Sequence, residues 1–135
     1  MNRKLLYLDS SAILKIVVSE PQSKELFQLL SDWPARVSSE LARTEVLRAL
    51  RRGGASAATF RRGQKTLERI GLIPIDTRIL SEAAVLKPVS LRSLDAIHLA
   101  TALSLRFELG AIVTYDARLS DAAAVAKISA WSPGL

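Results

Sequence analysis

Cysteine is missing from this 135-residue chain, which excludes disulfides, thiol nucleophiles and every cysteine-ligated zinc or iron–sulfur site. Histidine is nearly missing too. The only one, His98, cannot form a paired-histidine metal site of the H-E-x-x-H type within one chain. Any metal chemistry therefore falls to oxygen ligands, and these select hard cations such as Mg2+ or Mn2+. The G-x-S-x-G signature is absent as well, so a Ser-His-Asp triad is arithmetically possible but nothing else points to acyl transfer. No apolar run approaches the roughly 20 residues that a membrane-spanning helix requires. The opening MNRKLLYLDSSAILKIVVSE sets basic residues before apolar ones, yet Asp9 interrupts it and no small-residue cleavage site follows. A signal peptide is not expected, and the expectation is a cytoplasmic protein.

What is present is apolar and basic. Hydrophobic residues make up 49% of the chain, enough for a substantial core and too many for a disordered segment. The length suits one domain spanning residues 1–135, with no repeat or linker in view. The formal net charge is +6, which points towards a polyanionic partner: nucleic acid first, an acidic protein or membrane surface next.

Residues 4–8 read as a short buried strand, with Asp9 at its carboxyl end. Ser10 and Ser11 are suitable N-caps for a helix over 12–18. Pro21 suits the first turn of a second helix, whose buried face would carry Leu26, Phe27, Leu29 and Leu30. A weak strand at 35–37 leads through Ser38 or Ser39, either one a possible cap, to a helix over 40–52 that Gly53-Gly54 stops. Ser56 opens another helix to about residue 70, with Phe60, Leu67 and Ile70 inward and Arg61, Lys65 and Arg69 as a basic stripe. A strand at 72–75, a helix at 77–87 stopped by Pro88, and a helix from Ser93 to about 107 follow. A buried strand at 110–114, a short helix at 119–126 and a last strand at 128–131 complete the pattern. Strands alternating with helices imply an α/β fold: a mainly parallel central sheet with helices on both faces.

In such sheets ligands sit beyond the carboxyl ends of the strands. Asp9 and Asp116 both occupy such ends, although aspartate is also a common cap or turn residue. Glu45 lies in the most apolar stretch of its helix, where the alternative is an exposed pair with Arg43 or Arg48. Asp95 lies in the first turn of its helix, where the dipole alone favours a carboxylate. As a set the four have a shared use. Two carboxylates about 4 Å apart repel by roughly 4 kcal/mol at an effective dielectric near 20, and a divalent cation removes that repulsion. Such a set would suit one metal with a spare general base, or two metals.

The runs Asp9-Ser10-Ser11-Ala12, Ser38-Ser39, Arg43-Thr44-Glu45-Val46, Leu94-Asp95-Ala96-Ile97-His98-Leu99-Ala100-Thr101-Ala102 and Thr114-Tyr115-Asp116 together resemble VapC-type PIN domains. The resemblance covers essentially the whole chain, in size and in strand–helix order. It implies a PIN-like α/β fold and a Mg2+-dependent endoribonuclease, the toxin of a type II toxin–antitoxin pair, acting on a structured cellular RNA such as transfer RNA. It assigns Asp9, Glu45, Asp95 and Asp116 to the acidic site. Asp9 and Asp95 are the first candidates for direct or water-mediated Mg2+ ligands, Asp116 an assisting one, and Glu45 the group that orients or deprotonates water. It also implies a homodimer and an acidic, partly disordered antitoxin, one of whose arginines could enter the acidic site by charge-assisted hydrogen bonds.

Around these residues lie others with simpler readings. Glu40 and Asp121 are close in sequence to Glu45 and Asp116 and are expected at the surface. Ser10 and Thr114 either hydrogen-bond the carboxylates or cap local structure. His98, one turn from Asp95, is expected to pack in the interior. Arg51, Arg52 and the stripe of Arg61, Lys65 and Arg69 suit a phosphate backbone, supplying affinity but little base choice. Two rival classes remain: a phosphotransfer domain using Asp9 as nucleophile, which lacks the D-x-D pattern, and a catalytically silent RNA- or protein-binding module.

Overall fold

The computed structural model describes residues 3–135. Met1 and Asn2 lie outside the described residues. Among the described residues, strands β1 (Leu5–Leu8), β2 (Ala35–Ser39), β3 (Gly71–Ile73), β4 (Leu109–Val113) and β5 (Ala130–Trp131) form a five-stranded sheet in the order β3-β2-β1-β4-β5. Every pairing is parallel, so each connection must cross over a face, and helices fill those crossovers. The expected α/β architecture is therefore present.

The helices α1 (Ser10–Val17), α2 (Ser23–Ser31), α3 (Leu41–Arg52) and α4 (Ala57–Glu68) cover one face, and α5 (Thr77–Ala84), α6 (Ser93–Leu103) and α7 (Ala117–Val125) the other. The strand period of two divides the side chains between the layers. Leu6, Leu8, Ala111 and Val113 join Ile13, Leu26, Val46 and Leu67 on the first face. Tyr7 and Ile112 join Leu99, Leu119 and Ala122 on the second. β1 is central and its last three residues are fully enclosed, which is why it reads as an unbroken apolar run. No helix among the described residues is long and apolar enough to cross a membrane.

The structure shifts several expected boundaries. Asp9, not Ser10 or Ser11, is the N-cap of α1: its carboxylate accepts the Ala12 N–H at 3.0 Å. Pro21 lies in the turn ahead of α2, and Phe27 is 49% exposed because Leu26 and Leu30 already fill the inward stripe of that short helix. α5 ends at Ala84 and α6 at Leu103, both earlier than their apolar periodicity suggests.

Candidate active site

The carboxyl ends of β1 and β4 lie side by side, and the last bond between them runs from the Asp9 N–H to the Val113 carbonyl at 3.1 Å. Asp9 is only 4% exposed. Its Oδ1 accepts from Ala12 N–H and from Ser11 Oγ at 2.6 Å, and its Oδ2 from Thr114 Oγ1. The two hydroxyls do matching work. Ser11 Oγ accepts the Tyr115 N–H at 2.9 Å, and Thr114 Oγ1 accepts the Asp116 N–H at 3.0 Å. Each hydroxyl thus spends its one proton on Asp9 and its lone pair on the turn between β4 and α7. Burial pushes the Asp9 carboxyl above the ordinary aspartate range, against the opposing hydrogen bonds from Ser11, Thr114 and Ala12.

That turn carries Asp116, which caps α7 through Oδ1 and the Arg118 N–H at 2.9 Å. Asp95 sits in the first turn of α6, partly buried. Burial raises its carboxyl pKa, and the negative charges of Asp116, Asp9 and Glu45 raise it further, with His98 opposing. The four acidic residues singled out from the sequence therefore share one electrostatic field, although they come from four separate elements. Glu40 and Asp121 stay on the exposed surface.

Glu45 reaches the site from α3 with 25% of its side chain exposed. Its Oε1 accepts from Ser10 Oγ and from His98 Nε2, both at 2.6 Å. Burial alone would push this carboxyl up; the hydrogen bonds from His98 and Ser10 outweigh it and hold Glu45 below the ordinary glutamate range. His98 is buried, as expected of a packing histidine, but both of its ring nitrogens are engaged: Nδ1 lies 2.7 Å from the Tyr7 hydroxyl. This geometry removes the acyl-transfer reading. Ser10 Oγ is 3.5 Å from His98 Nε2, and an Nε2 that donates to a carboxylate cannot take a proton from serine.

Ser11, Tyr7 and Ser38 are site residues that sequence reasoning missed or placed in another role. Ser11 looked like a helix cap and instead links Asp9 to the β4–α7 turn. Tyr7 had one signal: a phenol within an aliphatic strand, which needs a buried hydrogen-bond partner. Ser38 lies beside the Tyr7 hydroxyl, whose short contact goes to His98. Ser38 Oγ is buried and has no hydrogen-bond partner among the described residues.

The donors suit a hard cation under one condition. Among the described residues no three carboxyl or imidazole groups stand close enough to enclose an ion by themselves. Mg2+ does not require this. It commonly binds through one or two carboxylates and otherwise keeps water and phosphate oxygens, and an oxygen-only acidic cluster meets that description.

The exposed surface of α3 and α4 carries two adjoining depressions rich in basic side chains. One cavity of about 660 Å3 has Arg43, Arg48, Arg51 and Arg52 on its rim and Leu47 and Phe60 in its wall. A second, about 330 Å3, shares Arg43 and Leu47 and adds Arg61 and Lys65, with Glu68 the one acidic side chain in its lining. Arg69, the last member of the expected stripe, caps α4 on the exposed surface outside both.

A family model described as PIN domain matches residues 6–125. The chain is 47% identical over 128 residues to Ribonuclease VapC46 of Mycobacterium tuberculosis, a match covering 95% of this chain and 97% of the relative. It is 35% identical over 134 residues to Ribonuclease VapC47 of the same species, with 96% and 98% covered. Among solved structures, a toxin–antitoxin complex from Klebsiella pneumoniae superposes with a TM-score of 0.68 at 22% identity, covering 85% of this chain and 89% of that one. Mycobacterium tuberculosis VapC20, described as a Sarcin-Ricin loop cleaving toxin, superposes at 0.69 with 14% identity, covering 87% and 94%. At those identities the structures speak for the fold, and the sequence relatives carry the kinship: this chain belongs to the PIN-domain family, among its VapC-type members.

Proposed function

We propose that the chain is a Mg2+-dependent endoribonuclease, with Mn2+ as an alternative ion, and the toxin of a type II toxin–antitoxin pair. Its reaction would be hydrolysis of phosphodiester bonds in a cellular RNA, transfer RNA being one candidate. The observation that carries this reading is the convergence of Asp9, Glu45, Asp95 and Asp116 from four elements, with Asp95 held against its neighbours' charges. Helix capping accounts for Asp9 and Asp116 one at a time, but not for the repulsion that the set imposes on Asp95. The printed names of the two sequence relatives, both ribonucleases, agree with it.

Asp9 and Asp95 would hold the cation, directly or through water, with Asp116 assisting. When bound, Mg2+ supplies charge neutralisation, orientation of the phosphodiester and a lowered pKa for an attacking water. The protein's own contribution is positional. Ser11 and Thr114 fix both oxygens of Asp9. Glu45, kept ionised by its donors, orients the water and takes its proton. The basic surface on α3 and α4 would bind RNA backbone phosphates. An acidic antitoxin would inhibit by placing an arginine among the same carboxylates, and the active species is a homodimer.

The test is cleavage of total cellular RNA by purified protein with Mg2+ or Mn2+, beside EDTA and Asp95→Asn controls and an arm with the neighbour-encoded antitoxin added. Discrete fragments that vanish in all three controls are expected. Cleavage that persists in EDTA overturns the metal assignment. Absence of cleavage by a folded, antitoxin-free protein overturns the nuclease in favour of a silent binding module.

A further inference from the structure

The hydrogen-bonded chain Tyr7–His98–Glu45–Ser10 crosses the sheet. Tyr7 lies on the central strand β1 and His98 on α6, both facing the second layer, whereas Glu45 and Ser10 come from α3 and α1 of the first. Tyr7 is fully buried and His98 is 2% exposed, so water offers neither side chain an alternative partner. The rings meet edge to face, with centroids 5.9 Å apart and planes at 81°, a geometry that keeps the imidazole from rotating out of line.

Proton directions follow from the inventory of donors. An ionised Glu45 has only acceptors, so the 2.6 Å contact requires a hydrogen on His98 Nε2. In a neutral imidazole Nδ1 is then a lone pair, and the contact at 2.7 Å must be donated by the Tyr7 hydroxyl. A phenol, with an ordinary pKa of about 10, keeps that proton at neutral pH.

We propose that Tyr7 and His98 are positioning residues for Glu45: the tyrosine hydroxyl holds the imidazole in place through Nδ1, and the Nε2–H that faces the carboxylate, with Ser10 Oγ–H, anchors Glu45 Oε1. Oε2 is left free of both donors and available to the reacting water. Through this arrangement the central strand sets the orientation of a carboxylate carried by the opposite helical layer. The catalytic consequence rests on the nuclease reading; the tautomer does not.

The experiment has two arms, and the single histidine makes the first unambiguous. Long-range 1H–15N correlation on tag-free, 15N-labelled protein at pH 7.5 reports which nitrogen of His98 is protonated. The wild type is expected to show the Nε2–H tautomer with a hydrogen-bonded Nδ1, and Tyr7→Phe the same tautomer with its Nδ1 resonance shifted downfield by loss of that bond, at unchanged circular dichroism. Two protonated nitrogens or an Nδ1–H tautomer in the wild type, or an Nδ1 resonance unmoved in Tyr7→Phe, overturn the relay whatever the protein cleaves.

The second arm is kinetic. Outer partners that orient catalytic groups are worth on the order of 10–100-fold in activity. His98→Leu and Tyr7→Phe are expected to lower kcat about 10-fold or more with KM within about twofold. His98→Gln, whose amide can donate from the Nε2 position, should recover most of the loss. Equal impairment of His98→Leu and His98→Gln, or a change confined to KM, would show a merely structural histidine. If the wild type cuts no RNA, the nuclease reading fails, and the tautomer arm still decides the relay.

Discussion

Asp95 pays for its position with stability. Its carboxyl pKa is raised in the folded chain, by burial first and then by Asp116, Asp9 and Glu45. For a carboxyl raised on folding, the stabilising contribution is complete below the unfolded value near 3.8 and is lost as pH rises through the folded value. At pH 7.5 the ionised group therefore destabilises the fold. In EDTA, Asp95→Asn is expected to raise Tm by about 2 °C at pH 7.5, with the gain shrinking as pH approaches 3.8. Millimolar Mg2+ should raise the wild-type Tm and leave the variant nearly unmoved. Scanning fluorimetry across pH decides it, and a lower Tm for the variant at pH 7.5 removes the argument. Much of this site could be read from single residues, because Asp9 and Asp116 follow apolar strands and parallel sheets gather ligands at those ends. The partners of Glu45 could not. Tyr7 and His98 are 91 positions apart, and no local pattern encodes a contact formed only when α6 packs on β1.

At the level of elements, the strand–helix alternation gave the parallel sheet, and the errors fell at helix ends. α6 stops at Leu103 although the stretch 104–108 contains neither glycine nor proline to announce it. The chain must turn there to bring Leu109 into register with Leu5, a long-range requirement that overrides local helix preference. Phe107, beyond the end of α6, is 70% exposed. The next residue type with visible meaning is Gly110 in β4. A Cβ there would stand 2.2 Å from the Trp33 ring. Trp33 cannot simply swing away, because it packs edge-on against Trp131 of β5, with centroids 5.7 Å apart. Gly110→Ala is expected to cost about 2 kcal/mol by overpacking, read as a lower urea midpoint with an unchanged slope. An unshifted midpoint would mean that the tryptophan pair yields freely.

Over the whole molecule, charge is separated. The four site carboxylates collect beyond the ends of β1 and β4, while Arg43, Arg48, Arg51, Arg52, Arg61 and Lys65 line two depressions on α3 and α4. None of these six cations has a carboxylate within ion-pair distance among the described residues, where the lysine and arginine ion pairs are Lys15–Glu20 and Arg78–Glu82. Unpaired cations around a concave surface favour a polyanion and release its counterions on binding, so affinity should fall steeply with salt. Each phosphate contact contributes about 0.7 to 0.9 to the slope of log affinity against log salt. With cleavage blocked by EDTA, removing two contacts in an Arg48→Ala, Lys65→Ala double variant should lower that slope by roughly 1.5. Arg78→Ala is the matched control: the side chain lies on α5 of the opposite layer and already has Glu82 as a partner at 3.2 Å. Fluorescence anisotropy with a labelled single-stranded RNA at several KCl concentrations measures all three slopes. A double variant as salt-sensitive as the control would place the RNA away from α3 and α4, whereas the expected loss would tie part of the net charge of +6 to that basic surface.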